Sequence, residues 1–197
     1  MFSTVWGNWV RGQLLILGRL LGRTHISPNW FTIAGLLLNA AVAAVIAGGS
    51  LTLGGALLLG ASAFDMLDGA VARANNQITR FGGFLDSTLD RYSEAVIYLG
   101  LLIYFQQVNP DHVAVLLIYG AAVGSLMVSY ARARAEAIGF DAEVGLFARP
   151  ERIILLAIFL LVRHPVWALA ALALLTNVTA VQRIVHVWRA TRDLEQR

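Results

Sequence analysis

The sequence has no cysteine, no lysine and only four prolines in 197 residues. The lack of cysteine excludes disulfides and thiol chemistry. Charge is scarce as well. Asp, Glu, Lys and Arg make up 14% of the chain, where a soluble domain carries about a quarter. Hydrophobic residues make up 58% and the mean hydropathy is +0.68. Such a chain reads as an all-α integral membrane protein forming one domain, residues 1–197. Its net charge of +3 is modest. No nucleic-acid partner is expected; membrane lipids are.

Six apolar stretches have the length of spanning helices, at 30–48, 52–74, 84–107, 112–137, 151–163 and 165–188, the fifth being short. Together they predict a six-helix bundle over 30–188. The start, residues 1–25, does not read as a signal peptide, because its arginines lie within and after the apolar stretch. Leucines there alternate with Arg11, Arg19 and Arg23, with Trp6 and Trp9 ahead of them. This predicts an N-terminal amphipathic surface helix. "SPN" at 27–29 offers Ser27 as a cap and a proline in the first turn. All but one of the arginines fall on or near one membrane side under this reading; Arg163 falls on the other. The positive-inside rule then puts both termini in the cytoplasm, in a cell-membrane protein with several crossings.

Against this apolar background, four of the twelve acidic residues crowd into positions 65–90. Asp65 and Asp68 are three apart near the cytoplasmic end of the second span. Asp86 and Asp90 are four apart at the start of the third. Each spacing puts its pair on one helix face, and a short loop makes the helices neighbours. Four uncompensated carboxylates in a membrane would be very costly. Oxygen donors without His or Cys suit a hard divalent cation, Mg²⁺ or Mn²⁺, and four carboxylates suffice for two ions arranged for phosphoryl transfer. Gly69, Ala72 and Gly82 leave room for a close neighbour or a ligand. Arg73 and Arg80 can meet phosphates. Asn39 and Asn177, inside spans, are expected to hydrogen-bond between helices. His25, His112, His164 and His186 form no ligand spacing.

The run Asp65-x-x-Asp68-Gly69-x-x-Ala72-Arg73-x8-Gly82-x3-Asp86-x3-Asp90 resembles the signature of the CDP-alcohol phosphotransferases without a gap. That resemblance implies transfer of a phosphatidyl group from a CDP-diacylglycerol-type lipid to an alcohol, with release of CMP. It implies that Asp65, Asp68, Asp86 and Asp90 hold the metal ions, and that Asp90 is also the general base. It places Gly69, Ala72 and Arg73, with Thr79 as a further candidate, against the CDP-lipid. It also implies a homodimer.

A second cluster bears on the acceptor. "SYARARAEAIG", "ARPER" and "VQRIVHVW" bring Arg132, Arg134, Arg152 and Arg183 to the cytoplasmic side. Guanidinium forks suit phosphate oxygens. These segments are similar to those of phosphatidylinositol phosphate synthases, which implies inositol 3-phosphate as acceptor, its phosphate bound by Arg132, Arg152 and Arg183. Ala148 stands where that subfamily often has glutamate. Arg134 and Arg149 read equally well as head-group anchors. Two other functions are compatible with parts of the pattern. A phosphatidylglycerol phosphate synthase would use glycerol 3-phosphate, another phosphorylated polyol, and a divalent-cation transporter would use the aspartates alone.

Overall fold

The structure is a computed structural model that describes residues 27–74, 79–142, 144, 145 and 147–195. For 28, 66–74 and 193–195 the backbone alone is described. The expected surface helix at 1–25 lies outside these residues. Among the described residues there are helices and no strands. The α-helices are α1 (Pro28–Ala47), α2 (Leu51–Ala74), α3 (Arg80–Ile103), α4 (His112–Ala137), α5 (Arg149–Leu161) and α6 (Pro165–Glu195).

Local chemistry sets the helix ends. Pro28 occupies the first position of α1, where its fixed φ suits the helix and its missing N–H costs nothing. Ser27 holds the N-cap position, but its side chain makes no capping bond, so the start rests on proline. Gly49 turns the chain at φ 91° between α1 and α2, a conformation that disfavours side chains. Asp111 caps α4 by accepting from Val113 N and Ala114 N. The third apolar stretch was expected to stay regular to 107. Instead α3 ends at Ile103, and Tyr104–Val108 form a π-helical turn closed by Asn109 N donating to Tyr104 O at 3.0 Å. The wider turn accompanies full burial of Phe105 (1% exposed), edge-on to Tyr104 at 4.9 Å.

Two groupings make the bundle. α4 packs along α6, while α1 packs against α3 and α2, and α2 against α5. The core runs through both, from Ile46, Leu58 and Leu101 to Leu160, Leu169 and Leu172. Large apolar side chains also cover the outside: Leu116, Tyr119, Trp167 and Trp30 are all more than 60% exposed. Among the described residues three helices are long and apolar enough to cross a membrane, at Asn29–Ala47, His112–Ala137 and Pro165–Arg192, with a shorter apolar helix at Leu51–Asp65. An apolar exterior on apolar helices is the pattern of a membrane protein.

Small residues let the helices around α2 and α3 close up. A Cβ at Gly100 of α3 would lie 2.5 Å from the Ala43 carbonyl oxygen of α1. One at Gly55 of α2 would lie 2.8 Å from the Ala157 carbonyl oxygen of α5. Both neighbours are backbone and cannot rotate away. Gly100→Ala is therefore expected to destabilise the protein by about 1–3 kcal/mol through overpacking. Gly60→Ala, with nothing within 4 Å of the new methyl, is expected to gain about 0.5–1 kcal/mol. Unfolding in detergent of the two variants side by side checks the contrast.

Candidate active site

Asp65 of α2 and Asp90 of α3 converge on one cation, although among the described residues the two helices are not the close neighbours that the short loop predicts and each packs instead on α1. Arg149 Nη1 lies 2.7 Å from Asp90 Oδ1, and its Nη2 lies 3.1 Å from Asp65 Oδ2. Arg149 is the first residue of α5. A cation there opposes the helix macrodipole, so the two carboxylates supply what holds it. Its Nε is buried and has no hydrogen-bond partner among the described residues. Asp86, one turn before Asp90, is near enough to repel both carboxylates. Arg91 Nη1 reaches Asp90 Oδ2 at 3.6 Å.

The ion pairs continue one turn further. Glu94 follows Asp90 by four residues, and Arg152 follows Arg149 by three. Arg152 donates Nε to Glu94 Oε1 at 2.8 Å and Nη2 to Glu94 Oε2 at 3.0 Å, a bidentate pair with Arg152 only 3% exposed. Its Nη1 donates to the Phe147 carbonyl at 3.3 Å. The two pairs are rungs of one ladder between α3 and α5.

The oxygen donors gathered here are carboxylates, which fit a hard divalent cation. Arg149 already demonstrates that the carboxylates draw positive charge to one point. Among the described residues no three His, Cys, Asp or Glu side chains come to ligating distance. Asp68 lies three positions beyond Asp65 on α2, and its side chain, with those of Gly69, Ala72 and Arg73, lies outside the described residues.

Thr79, the further CDP-lipid candidate, is the N-cap of α3, and its hydroxyl accepts from Gly82 N at 2.9 Å. The three acceptor arginines have different settings. Arg132 pairs with Glu136 at 2.7 Å and lines a groove of about 770 Å³ between α3 and α4, together with Arg91 and Tyr130. Arg152 belongs to the ladder. Arg183 is buried on α6 and donates Nε to the Val144 carbonyl at 2.9 Å and Nη1 to the Val128 carbonyl at 2.8 Å. Two participants escaped the reading from spacing. Glu94 continues the series Asp86–Asp90–Glu94 at four-residue steps, a signal that could have found it. Arg149, which read as readily as a head-group anchor, sits on two of the aspartates.

Residues 25–188 match the profile of the family described as CDP-alcohol phosphatidyltransferase. The archaetidylinositol phosphate synthase of Methanothermobacter thermautotrophicus is 41% identical over 176 residues, 85% of this chain and 86% of that protein. The crystal structure of Mycobacterium tuberculosis phosphatidylinositol phosphate synthase with CDP-DAG bound superimposes with a TM-score of 0.84 at 33% identity, covering 89% of this chain and 93% of that one. The same protein with manganese and citrate gives a TM-score of 0.83 at 33% identity, over 89% and 88% of the two chains.

Breaking one rung of the ladder should be costly, because it strands a buried charge. Glu94→Ala is expected to lower stability by about 3–5 kcal/mol. The double change Glu94→Leu with Arg152→Leu is expected to lose much less, because no charge is left behind. Equilibrium unfolding of the single and double variants checks this.

Proposed function

The chain belongs to the CDP-alcohol phosphatidyltransferase family, and from that membership we propose that it transfers the phosphatidyl group, or its ether-lipid counterpart, from a CDP-linked lipid to inositol 3-phosphate, releasing CMP. The observation that carries the proposal is the convergence of Asp65 and Asp90, from two helices, on one positive charge. The relatives support the acceptor. Their names share inositol phosphate and differ in the lipid part.

In this reading Asp65, Asp68, Asp86 and Asp90 hold Mg²⁺ or Mn²⁺, two ions in all. A divalent ion held there neutralises the diphosphate of the CDP-lipid. Asp90 is the general base. Its carboxylate takes the proton of the acceptor hydroxyl, whose oxygen then attacks the phosphorus of the lipid phosphate. The bond from that phosphorus to the bridging oxygen breaks, and CMP leaves with the electron pair. Gly69, Ala72, Arg73 and Thr79 contact the CDP-lipid.

Arg132, Arg152 and Arg183 bind the acceptor phosphate. Of the five N–H groups of a guanidinium, Arg152 commits three to Glu94 and Phe147, which leaves two for a phosphate oxygen. The whole chain acts as a single membrane domain. A surface helix at 1–25 precedes six crossings within 30–188, both termini and the site face the cytoplasm, and two copies form a homodimer.

The test is CMP release by purified protein supplied with CDP-diacylglycerol or its ether analogue and a panel of acceptors. Inositol 3-phosphate is expected to support turnover well, and glycerol 3-phosphate poorly. Asp90→Asn is expected to lower turnover by about 10²–10⁴-fold, the usual worth of a positioned base, with CDP-lipid binding retained. Efficient turnover with glycerol 3-phosphate alone would reassign the acceptor, and near-normal turnover by Asp90→Asn would remove the base from Asp90.

A further inference from the structure

α1 carries none of the signature positions, yet it supplies two of the surfaces that hold Asp65. Asn39, 4% exposed, donates its side-chain amide to the Gly35 carbonyl one turn back at 2.9 Å and to Asp65 Oδ2 at 3.4 Å. Gly35 itself faces the other carboxylate oxygen, since a Cβ placed there would collide with Asp65 Oδ1. The two contacts act on different atoms. Oδ2 is held by the amide of Asn39 and the guanidinium of Arg149, while Oδ1 is fitted against bare backbone. Together they set the rotation of the carboxylate.

The tether from Asn39 to Gly35 also fixes the direction of the amide, so one glycine both makes the space and orients the donor that fills it. The charge of the two donors to Oδ2 matters too. Arg149 is a cation and opposes a second cation brought to Asp65. Asn39 is neutral, so it can keep hold of the carboxylate when a divalent ion approaches. Donors behind a ligating group commonly orient it in this way.

We propose that Asn39 and Gly35 are positioning residues for Asp65 as a metal ligand, which makes α1 a third helix of the metal site. The proposal rests on the reading of the aspartates given under Proposed function. Its probe is Mn²⁺ itself. Purified full-length protein in detergent is titrated with Mn²⁺, and the free ion is followed by electron paramagnetic resonance. Asn39→Ala and Gly35→Ala are each expected to weaken Mn²⁺ binding about tenfold, the lower end for a group supporting a ligand.

Asn177→Ala serves as the structural control. Asn177 also joins two helices, donating to the Gly120 and Ala173 carbonyls, but touches no aspartate. It is expected to lower the unfolding temperature of metal-free protein, as Asn39→Ala does, while binding Mn²⁺ like the unmodified protein. Normal Mn²⁺ binding by Asn39→Ala and Gly35→Ala, with binding lost in Asp65→Asn, would overturn the positioning role and leave the metal reading standing. Normal binding by Asp65→Asn would overturn the metal reading, and this inference with it. Should Asn39→Ala not fold, the Gly35→Ala titration decides alone.

Discussion

One guanidinium shared by two aspartates governs the arrangement of this molecule. Arg149 bonds Asp65 of α2 and Asp90 of α3 at once, and so ties α5 to the two helices that carry the signature. Carboxylates among apolar helices require compensation. A cation among the same helices requires it equally, and here each meets the need of the other. The geometry of the candidate site follows from that reciprocity, because α5 must deliver its first residue to the point where α2 and α3 deliver their acids.

The pair does not stand alone. Glu94 and Arg152 repeat it one turn further on, and the bidentate geometry fixes the plane of the second guanidinium. A ladder of this kind has two effects. It sets the distance between α3 and α5 through long side chains in place of close backbone contact. It also keeps Arg152 in one orientation, with part of its donor fork already spent. Buried ion pairs often add little net stability compared with apolar packing. Their presence in the middle of the site accords with a role in positioning.

Much of this was legible in the linear pattern, and what was missed has a physical reason. The fourth apolar stretch coincides with α4, since Asp111 before it and Gly139 after it punctuate the chain clearly. Spacings of three and four predict a shared helix face for each aspartate pair because periodicity describes a single helix well, and the structure brings one member of each pair, Asp65 and Asp90, to the same cation. Asn39 and Asn177 do bond across helices, as polar groups inside apolar helices are expected to. The partners of Arg149 and Arg152 were invisible for the opposite reason. Arg152 and Glu94 lie 58 residues apart, and only packing in three dimensions brings such residues together. An arginine at the first position of a helix looks the same in sequence whether it faces lipid head groups or two aspartates. The π-helical turn after Ile103 was also hidden, because widening by one residue answers to where Phe105 finds space.

The shortness of α5 has a consequence for solvent. Its 13 residues make a rod about 20 Å long at 1.5 Å per residue, against a hydrocarbon layer of about 30 Å. In the proposed six-crossing arrangement, with the turn after Leu161 at the far surface, Arg149 would stand about 10 Å beneath the near one. A charged cluster at that depth brings water down with it or thins the bilayer above it. Either way the membrane would be locally dimpled in that arrangement. A lipid bound at the rim of that depression would have its phosphate below the plane of its neighbours, at the level where the proposed water-soluble acceptor could reach it without entering oil.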